Sequence, residues 1–237
     1  QGADMRTFSF GGGVQSTAVL VLQAMGRLPD PYDVYLFANV GADSEHPDTL
    51  RYYEEVHVPF AEKHGIRLEE LHKVKRDGTR ETLYGRLTKP GGEFLGIPVF
   101  LASGAPGTRK CTADFKIHVV RKWQRKNGSS RDNPFVTALG ISVDEIQRAR
   151  SASRFDDQIF EYPLLELGYN RRMCHEVIEE AGLPPAPRSA CYFCPFHRKE
   201  HWRSLRREHP DLFTTAVQLE EHMNVTRQSQ ADRGVRS

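Results

Sequence analysis

Three consecutive glycines, Gly11-Gly12-Gly13, sit between an apolar strand-like run (residues 5–10) and an apolar helix-like run (residues 18–25). Strand, glycine turn and helix in that order aim backbone N–H groups and the positive end of a helix at an anion. Without Cβ atoms the turn lets a phosphate approach the backbone closely. Ser16 and Thr17 follow at the helix start, where their hydroxyls can cap the helix or meet phosphate oxygens. Gln15 occupies the place where a Walker A loop carries lysine, so this is not that loop, and Gly-x-Gly-x-x-Gly does not fit either. A tight turn that binds nothing is the bland alternative.

The rest of the chain reads as alternating strands and helices. Residues 33–38 form an apolar run suited to a buried parallel strand, and Pro47 and Asp48 suit a helix start that His64-Gly65 closes. Residues 66–71 predict a third strand, 114–126 a helix ended by Asn127-Gly128, and 135–141 another strand. Between them, residues 73–108 are irregular. They predict a short helix over 81–87, a short apolar segment over 97–101 and a mobile, glycine-rich substrate-side loop. Asn170 reads as the N-cap of a helix over 171–181, stopped by Gly182; a proline-rich turn and a basic helix follow. The tail from Thr226 is polar and reads as frayed. This order predicts an α/β fold with a Rossmann-like, doubly wound, mainly parallel sheet and a small C-terminal helical, cysteine-containing appendage. The expected division is residues 5–165 for the nucleotide-binding domain and 166–225 for the appendage.

No apolar run approaches the roughly 18–20 residues that span a bilayer, so no membrane partner is expected. Met5 reads as a natural start, no secretory core precedes the first strand, and a cytoplasmic location follows. The net charge of +2 says little by itself. However, Arg188, Arg198, Lys199, Arg203, Arg206 and Arg207 gather late in the chain as either a phosphate-binding face or a solvated one.

In a parallel α/β sheet the loops after the strands open at the carboxyl edge. That expectation gathers the glycine loop, the stretch from Asn39 to Glu45 and the stretch from Gly140 to Arg148 around one crevice. Asp43, Glu45, Asp144 and Glu145 are candidate holders of Mg²⁺ on nucleotide phosphates, and Arg109, Lys116 and Arg148 candidate phosphate partners. The second signal is cysteine. Cys191-Tyr-Phe-Cys194-Pro195 is a Cys-x-x-Cys pair before proline, Cys111 sits at a helix start where a thiolate is favoured, and Cys174 lies one turn inside a helix. Four thiolates suit Zn²⁺ or an iron–sulfur cluster, and spacing does not separate the two.

Phe8-Ser-Phe-Gly-Gly-Gly-Val-Gln-Ser-Thr17 resembles the PP-loop of the adenine nucleotide α-hydrolase-like (ATP pyrophosphatase) superfamily. Within it the chain looks most like the PAPS reductase-like family, near the DNA phosphorothioation sulfurtransferases. Asn39-Val-Gly-Ala-Asp-Ser-Glu-His-Pro-Asp-Thr49, Arg109-Lys-Cys-Thr-Ala-Asp-Phe-Lys116 and Gly140-Ile-Ser-Val-Asp-Glu…Arg148 are similar to three further blocks of that family. Gly11 and Gln15 stand where the PP-loop has its first Ser and its Asp, and Asn39 replaces the first Asp of the second block. Nucleotide binding survives these changes better than pyrophosphate-splitting chemistry does.

The resemblance implies an ATP-dependent sulfurtransferase-like enzyme that adenylylates and then thiolates a nucleic acid or nucleotide. Ser9, Gly11, Gly12, Gly13, Gln15, Ser16, Thr17, Asn39 and Gly140 would bind the adenine nucleotide. Asp43, Glu45 and Asp144 would position Mg²⁺, and Lys116 and Arg148 would stabilise the leaving group. Thiolating relatives often hold a [4Fe-4S] cluster, for which Cys111, Cys174, Cys191 and Cys194 would be ligands; with only three ligands, an open iron would carry the extra sulfur. Two alternatives stand beside this reading: a sulfonucleotide reductase using an external thiol, and a nucleotide-binding module with a structural zinc. No cysteine follows Cys194 to act as a tail nucleophile, and Cys111 has no adjacent cysteine; both facts weigh against the reductase.

Overall fold

The computed structural model describes residues 5–99, 107, 109–149 and 153–232. Residues 100–106 and 108 of the glycine-rich substrate-side loop lie outside that set, as does the end of the apolar segment expected over 97–101. In chain order the first elements are β1 Arg6–Phe10, α1 Val14–Ala24, β2 Val34–Asn39, α2 Pro47–Tyr52, a π-turn Tyr53–His57, α3 Val58–Lys63 and β3 Leu68–His72. Next come α4 Leu83–Leu87, α5 Lys110–Thr112, a second π-turn Ala113–Ile117, α6 His118–Lys126, β4 Phe135–Leu139 and a 3₁₀ turn Val143–Arg148. The last are β5 Gln158–Glu161, α7 Pro163–Glu166, α8 Arg171–Glu180, α9 Lys199–Glu208 and α10 Pro210–Asp232. The chain forms two compact units: Gln1–Asn39, Pro47–Leu71 and His118–Ser189 make the first, and Val40–His46, His72–Ile117 and Ala190–Ser237 the second.

The first unit is built on the sheet, ordered β3-β2-β1-β4-β5 with every strand parallel. β2 is buried along its whole length because helices cover both faces, which is why its sequence is continuously apolar rather than alternating. Tyr35 and Phe37 point into one core with Phe8, Phe10 and the buried run Ala18–Leu22 of α1, backed by Cys174, Val177 and Ile178 of α8. Val34, Leu36 and Ala38 point the other way, onto Val119 and Val120 of α6. This is the doubly wound arrangement expected from the strand–helix alternation.

β5 was not foreseen. It is four residues long, and Gln158 and Glu161 break its apolar pattern. It pairs parallel with β4 along its whole length, and a buried polar network braces it from α6. Gln124 of α6 donates through Nε2 to Thr7 Oγ1 and to Thr137 Oγ1, both at 2.8 Å, and its Oε1 accepts from Gln158 Nε2 at 2.6 Å.

In the second unit, Leu83, Leu87, Phe115, Tyr192, Phe193 and Leu205 form a core with Ala216, Leu219 and Met223 of α10. The helix expected from residue 114 starts at Lys110 and passes through a π-turn. The tail expected to fray from Thr226 is helical as far as Asp232, and Gln230 Nε2 donates to the Glu93 carbonyl at 2.8 Å.

Replacing Gln124 with Leu strands the buried Gln158 amide and removes the donor to two threonines. An unfolding free energy lower by about 2–4 kcal/mol is expected, as for a buried network that loses one member. Urea denaturation followed by far-UV circular dichroism measures it, and a change below ~0.5 kcal/mol would show that the network does not hold β5.

Candidate functional site

The glycine loop is scaffolded by its own hydroxyls. Ser16 Oγ donates to the Gly13 carbonyl at 2.9 Å and accepts from the Gly13 amide at 3.0 Å. Thr17 Oγ1 also donates to the Gly13 carbonyl at 2.9 Å. Both hydroxyls therefore cap and brace the turn, the first of the two roles anticipated for them. The first intrahelical bond runs from Thr17 N to Gly13 O, so the amides of Val14, Gln15 and Ser16 precede it and have no helical acceptor. Gly12 has φ +72°, and a Cβ there would also meet Phe37 and Thr49 at 3.4 Å. Ser9 lies half-buried on β1, and Gly11 is exposed at the loop's rim.

His57 stands behind this loop. It is fully buried, its ring edge-on to Phe10 at 4.8 Å and beside Tyr52 and Tyr53, with Nε2 2.8 Å from Thr17 Oγ1. The contact joins the loop's own hydroxyl to a ring enclosed by aromatic side chains. Burial drives its pKa down to about 3. No sequence pattern marked His57, because its partner Thr17 is distant in the chain.

The loop after β4 comes up against the glycine loop within the same unit. A Cβ on Gly140 would lie 3.3 Å from Ser16 N and 3.5 Å from the Gln15 carbonyl carbon, so any side chain here would crowd this approach. Asp144 accepts from the Arg171 amide at 2.5 Å and so caps the start of α8, where Asn170 accepts from Met173 N at 2.9 Å as expected. Arg171 Nη1 makes a long contact, 3.4 Å, with Gln15 Oε1. Sequence reasoning passed over Arg171, whose only signal was its place directly after the N-cap. Arg148 pairs with Glu145 at 2.5 Å on its own exposed turn. Asn39, buried at the end of β2, donates to Glu70 at 2.6 Å. Ser189 also packs on the glycine loop, its Cβ 3.4 Å from where a Gly13 Cβ would be.

The remaining candidates belong to the second unit. Asp43 accepts from Ser44 Oγ and Thr82 Oγ1, both at 2.8 Å, and so staples its loop to α4. Glu45 is fully buried and accepts from Lys116 Nζ at 3.2 Å. Arg109 lies over the Phe196 ring at 4.2 Å. Cys191 and Cys194 close a tight turn, Cys194 N donating to Cys191 O at 3.1 Å; His197 Nε2 lies 2.8 Å from that carbonyl. Cys111, Cys191 and Cys194 lie close enough to interact electrostatically with one another. Burial pushes the Cys111 and Cys191 thiols up, and for Cys191 the Glu45 carboxylate adds to the rise. The thiolate expected of Cys111 at a helix start is therefore not favoured: α5 has only three residues, and desolvation outweighs its dipole. Cys174 sits in the first unit, fully buried in the apolar core beneath α1, its thiol pushed up to about 12 by desolvation.

No protein-family profile matches the chain, and no curated protein does. Among solved structures the chain is similar to the U34-tRNA thiolase NcsA from Methanococcus maripaludis with its [4Fe-4S] cluster. Identity is 13%, over 95% of this chain and 74% of that one, with a TM-score of 0.49. No helix among the described residues is long and apolar enough to cross a membrane.

The buried His57 makes stability depend on pH. In the unfolded chain the ring takes a proton near its ordinary value of 6.5, whereas the folded protein refuses one down to about 3. Its contribution is complete above pH 6.5 and is lost as pH falls through that window, at roughly 1.4 kcal/mol per pH unit. His57→Gln keeps a hydrogen-bonding partner for Thr17 but cannot titrate. Its stability between pH 6 and 4, measured by urea denaturation, is expected to fall less steeply by about that amount; an unchanged slope would show that the ring is not held neutral.

Proposed function

We propose that this protein is an ATP-dependent sulfurtransferase-like enzyme that activates an oxygen of a nucleic acid or nucleotide by adenylylation and replaces it with sulfur. The observation that carries the reading is the grouping of Cys111, Cys191 and Cys194 with buried Glu45 and Lys116 in one unit, in a chain whose other unit braces a glycine loop. Thiolates suit a [4Fe-4S] cluster, and when bound such a cluster would supply the site for sulfur. Cys174, enclosed in an apolar core, is read as a packing residue rather than a fourth ligand.

The amides of Val14, Gln15 and Ser16 bind the nucleotide phosphates, with the Arg171 guanidinium adding positive charge at that end of the loop. Asp144 keeps one carboxylate oxygen for Mg²⁺ while the other caps α8. In the first half-reaction the acceptor oxygen attacks the α-phosphorus of ATP, an O–P bond forms, and pyrophosphate leaves. On α9, Lys199, Arg203 and Arg206 follow one another at helical spacing. Lys199 and Arg203 are exposed and have no carboxylate partner among the described residues, which suits a polyanionic substrate.

Anaerobic purification with metal analysis tests the reading. About four irons per chain, a broad band near ~400 nm and nucleic-acid-dependent pyrophosphate release from ATP are expected. One zinc without iron, and no ATP turnover, would replace it with a nucleotide-binding module carrying a structural zinc. A Cys191→Ala/Cys194→Ala protein that thiolates at the wild-type rate would also overturn it.

For the polyanion face, Lys199→Glu with Arg203→Glu should weaken RNA binding at least about tenfold at 0.1 M salt. It should also flatten the slope of log affinity against log salt by roughly two, about one for each lost phosphate contact. Filter binding across a salt series reads both quantities, and an unaltered slope would make α9 a solvated face.

A further inference from the structure

The short segments around Glu45 and Cys191 pair antiparallel. His46 N donates to the Ala190 carbonyl and Tyr192 N to the Ser44 carbonyl, each at 3.2 Å, with Glu45 directly opposite Cys191. Those two bonds flank the Glu45–Cys191 pair instead of joining its members. It is therefore a non-hydrogen-bonded pair, the kind in which opposed Cα atoms come to about 4.5 Å and both side chains leave the same face.

The carboxylate held there is unusual. Glu45 is 0% exposed. Its Oε1 accepts from Lys116, while its Oε2 is buried with no hydrogen-bond partner among the described residues. One lysine balances the charge but leaves an acceptor unfilled, and a buried acceptor left empty carries its full desolvation penalty. Such an orphan calls for a missing partner, and the groups next to it are thiols. Cys191 feels Glu45, Cys194 and Cys111 as nearby charges, and Cys111 feels Cys194.

We propose that Glu45, through Oε2, is the fourth protein ligand of an iron–sulfur cluster held by Cys111, Cys191 and Cys194. The inference rests on the reading above that these thiols hold a cluster. Three cysteines leave one iron without a protein sulfur, and a carboxylate oxygen is a competent but harder ligand for it. Lys116 bound to Oε1 fixes the carboxylate from the side away from the metal, the arrangement by which an outer partner orients a ligand. Because iron prefers softer donors in such a cluster, the oxygen is the ligand most readily exchanged for an incoming sulfur anion. The exchange changes no oxidation state: the carboxylate leaves as it arrived, still paired with Lys116.

The test is Mössbauer spectroscopy of ⁵⁷Fe-reconstituted protein, with electron paramagnetic resonance of the reduced form, on wild type, Glu45→Ala, Glu45→Gln and Lys116→Met. In the wild type about a quarter of the iron should show a distinct, larger isomer shift, the mark of one oxygen-ligated site among thiolate-ligated ones. Both Glu45 variants should move that component and shift the resonance, whereas Lys116→Met, which breaks the ion pair but keeps the carboxylate, should retain it. Identical spectra in wild type and Glu45→Ala would overturn the proposal, as would a Lys116→Met spectrum that copies Glu45→Ala, since Glu45 would then act only as an ion-pair partner. A wild-type protein that binds no iron would instead fell the cluster reading itself, and this inference with it. Where Glu45→Ala fails to fold, Glu45→Gln preserves the shape and the lysine contact and carries the same comparison.

Discussion

The carbonyl oxygen of Gly13 is the fixed point of the first unit. It accepts from Thr17 N, Thr17 Oγ1 and Ser16 Oγ, all at 2.9 Å. Three donors on one oxygen lock the turn from β1 into α1. This has two consequences. The hydroxyls of Ser16 and Thr17 serve the loop, so any anion at this end meets backbone amides. And Thr17 Oγ1 lies 2.8 Å from His57 Nε2, tying the loop to an imidazole whose burial among aromatic rings penalises the charged form. The order β2-β1-β4 then does the rest: with β1 between two parallel neighbours, the loop after β4 leaves from the same edge, and Gly140 admits it to the amide of Ser16.

The second unit is governed by desolvation. A desolvated thiol favours its neutral form, and a buried carboxylate beside it reinforces that preference, so Cys191 is held away from thiolate. Lys116 works in the opposite direction on the same thiol and is itself held charged by Glu45. A neighbourhood of this kind is poorly matched to its own contents. Its carboxylate is fully buried while its lysine and thiols are half-buried, and one carboxylate oxygen has no hydrogen-bond partner among the described residues.

The parallel α/β fold was legible because parallel strands buried on both faces leave continuous apolar runs, and residues 34–38 are the clearest of them. The glycine turn, the Asn170 cap and the Gly182 stop were legible for local reasons: each is a backbone demand met by a neighbouring residue. β5 was hidden because it is only four residues long and its polar ends are satisfied by distant partners, Gln158 by Gln124 and Glu161 by Arg6, contacts with no local signature. α10 could have been found, since Leu212, Phe213, Ala216, Leu219 and Met223 recur at helical spacing. Its polar end beyond Thr226 outweighed that stripe, although Gln230 ties the end down. In the site, residue types were readable and their employment was not. Asp43, Asp144 and Glu145 all suited a metal by composition, yet each takes a hydrogen bond or ion pair from a neighbour: Thr82, the Arg171 amide and Arg148.

Gln15 shows why a substitution within a recognisable motif changes the electrostatics more than the shape. A carboxylate at this position would stand beside the Arg171 guanidinium and cancel its charge, leaving the loop close to neutral. The amide oxygen of Gln15 accepts from the same guanidinium, at 3.4 Å, without neutralising it. Asp144 does not compensate, because its bond is to the Arg171 backbone amide at the start of α8, where it offsets the helix dipole instead. The end of the glycine loop therefore keeps a net positive guanidinium next to three amides that precede the first helical bond.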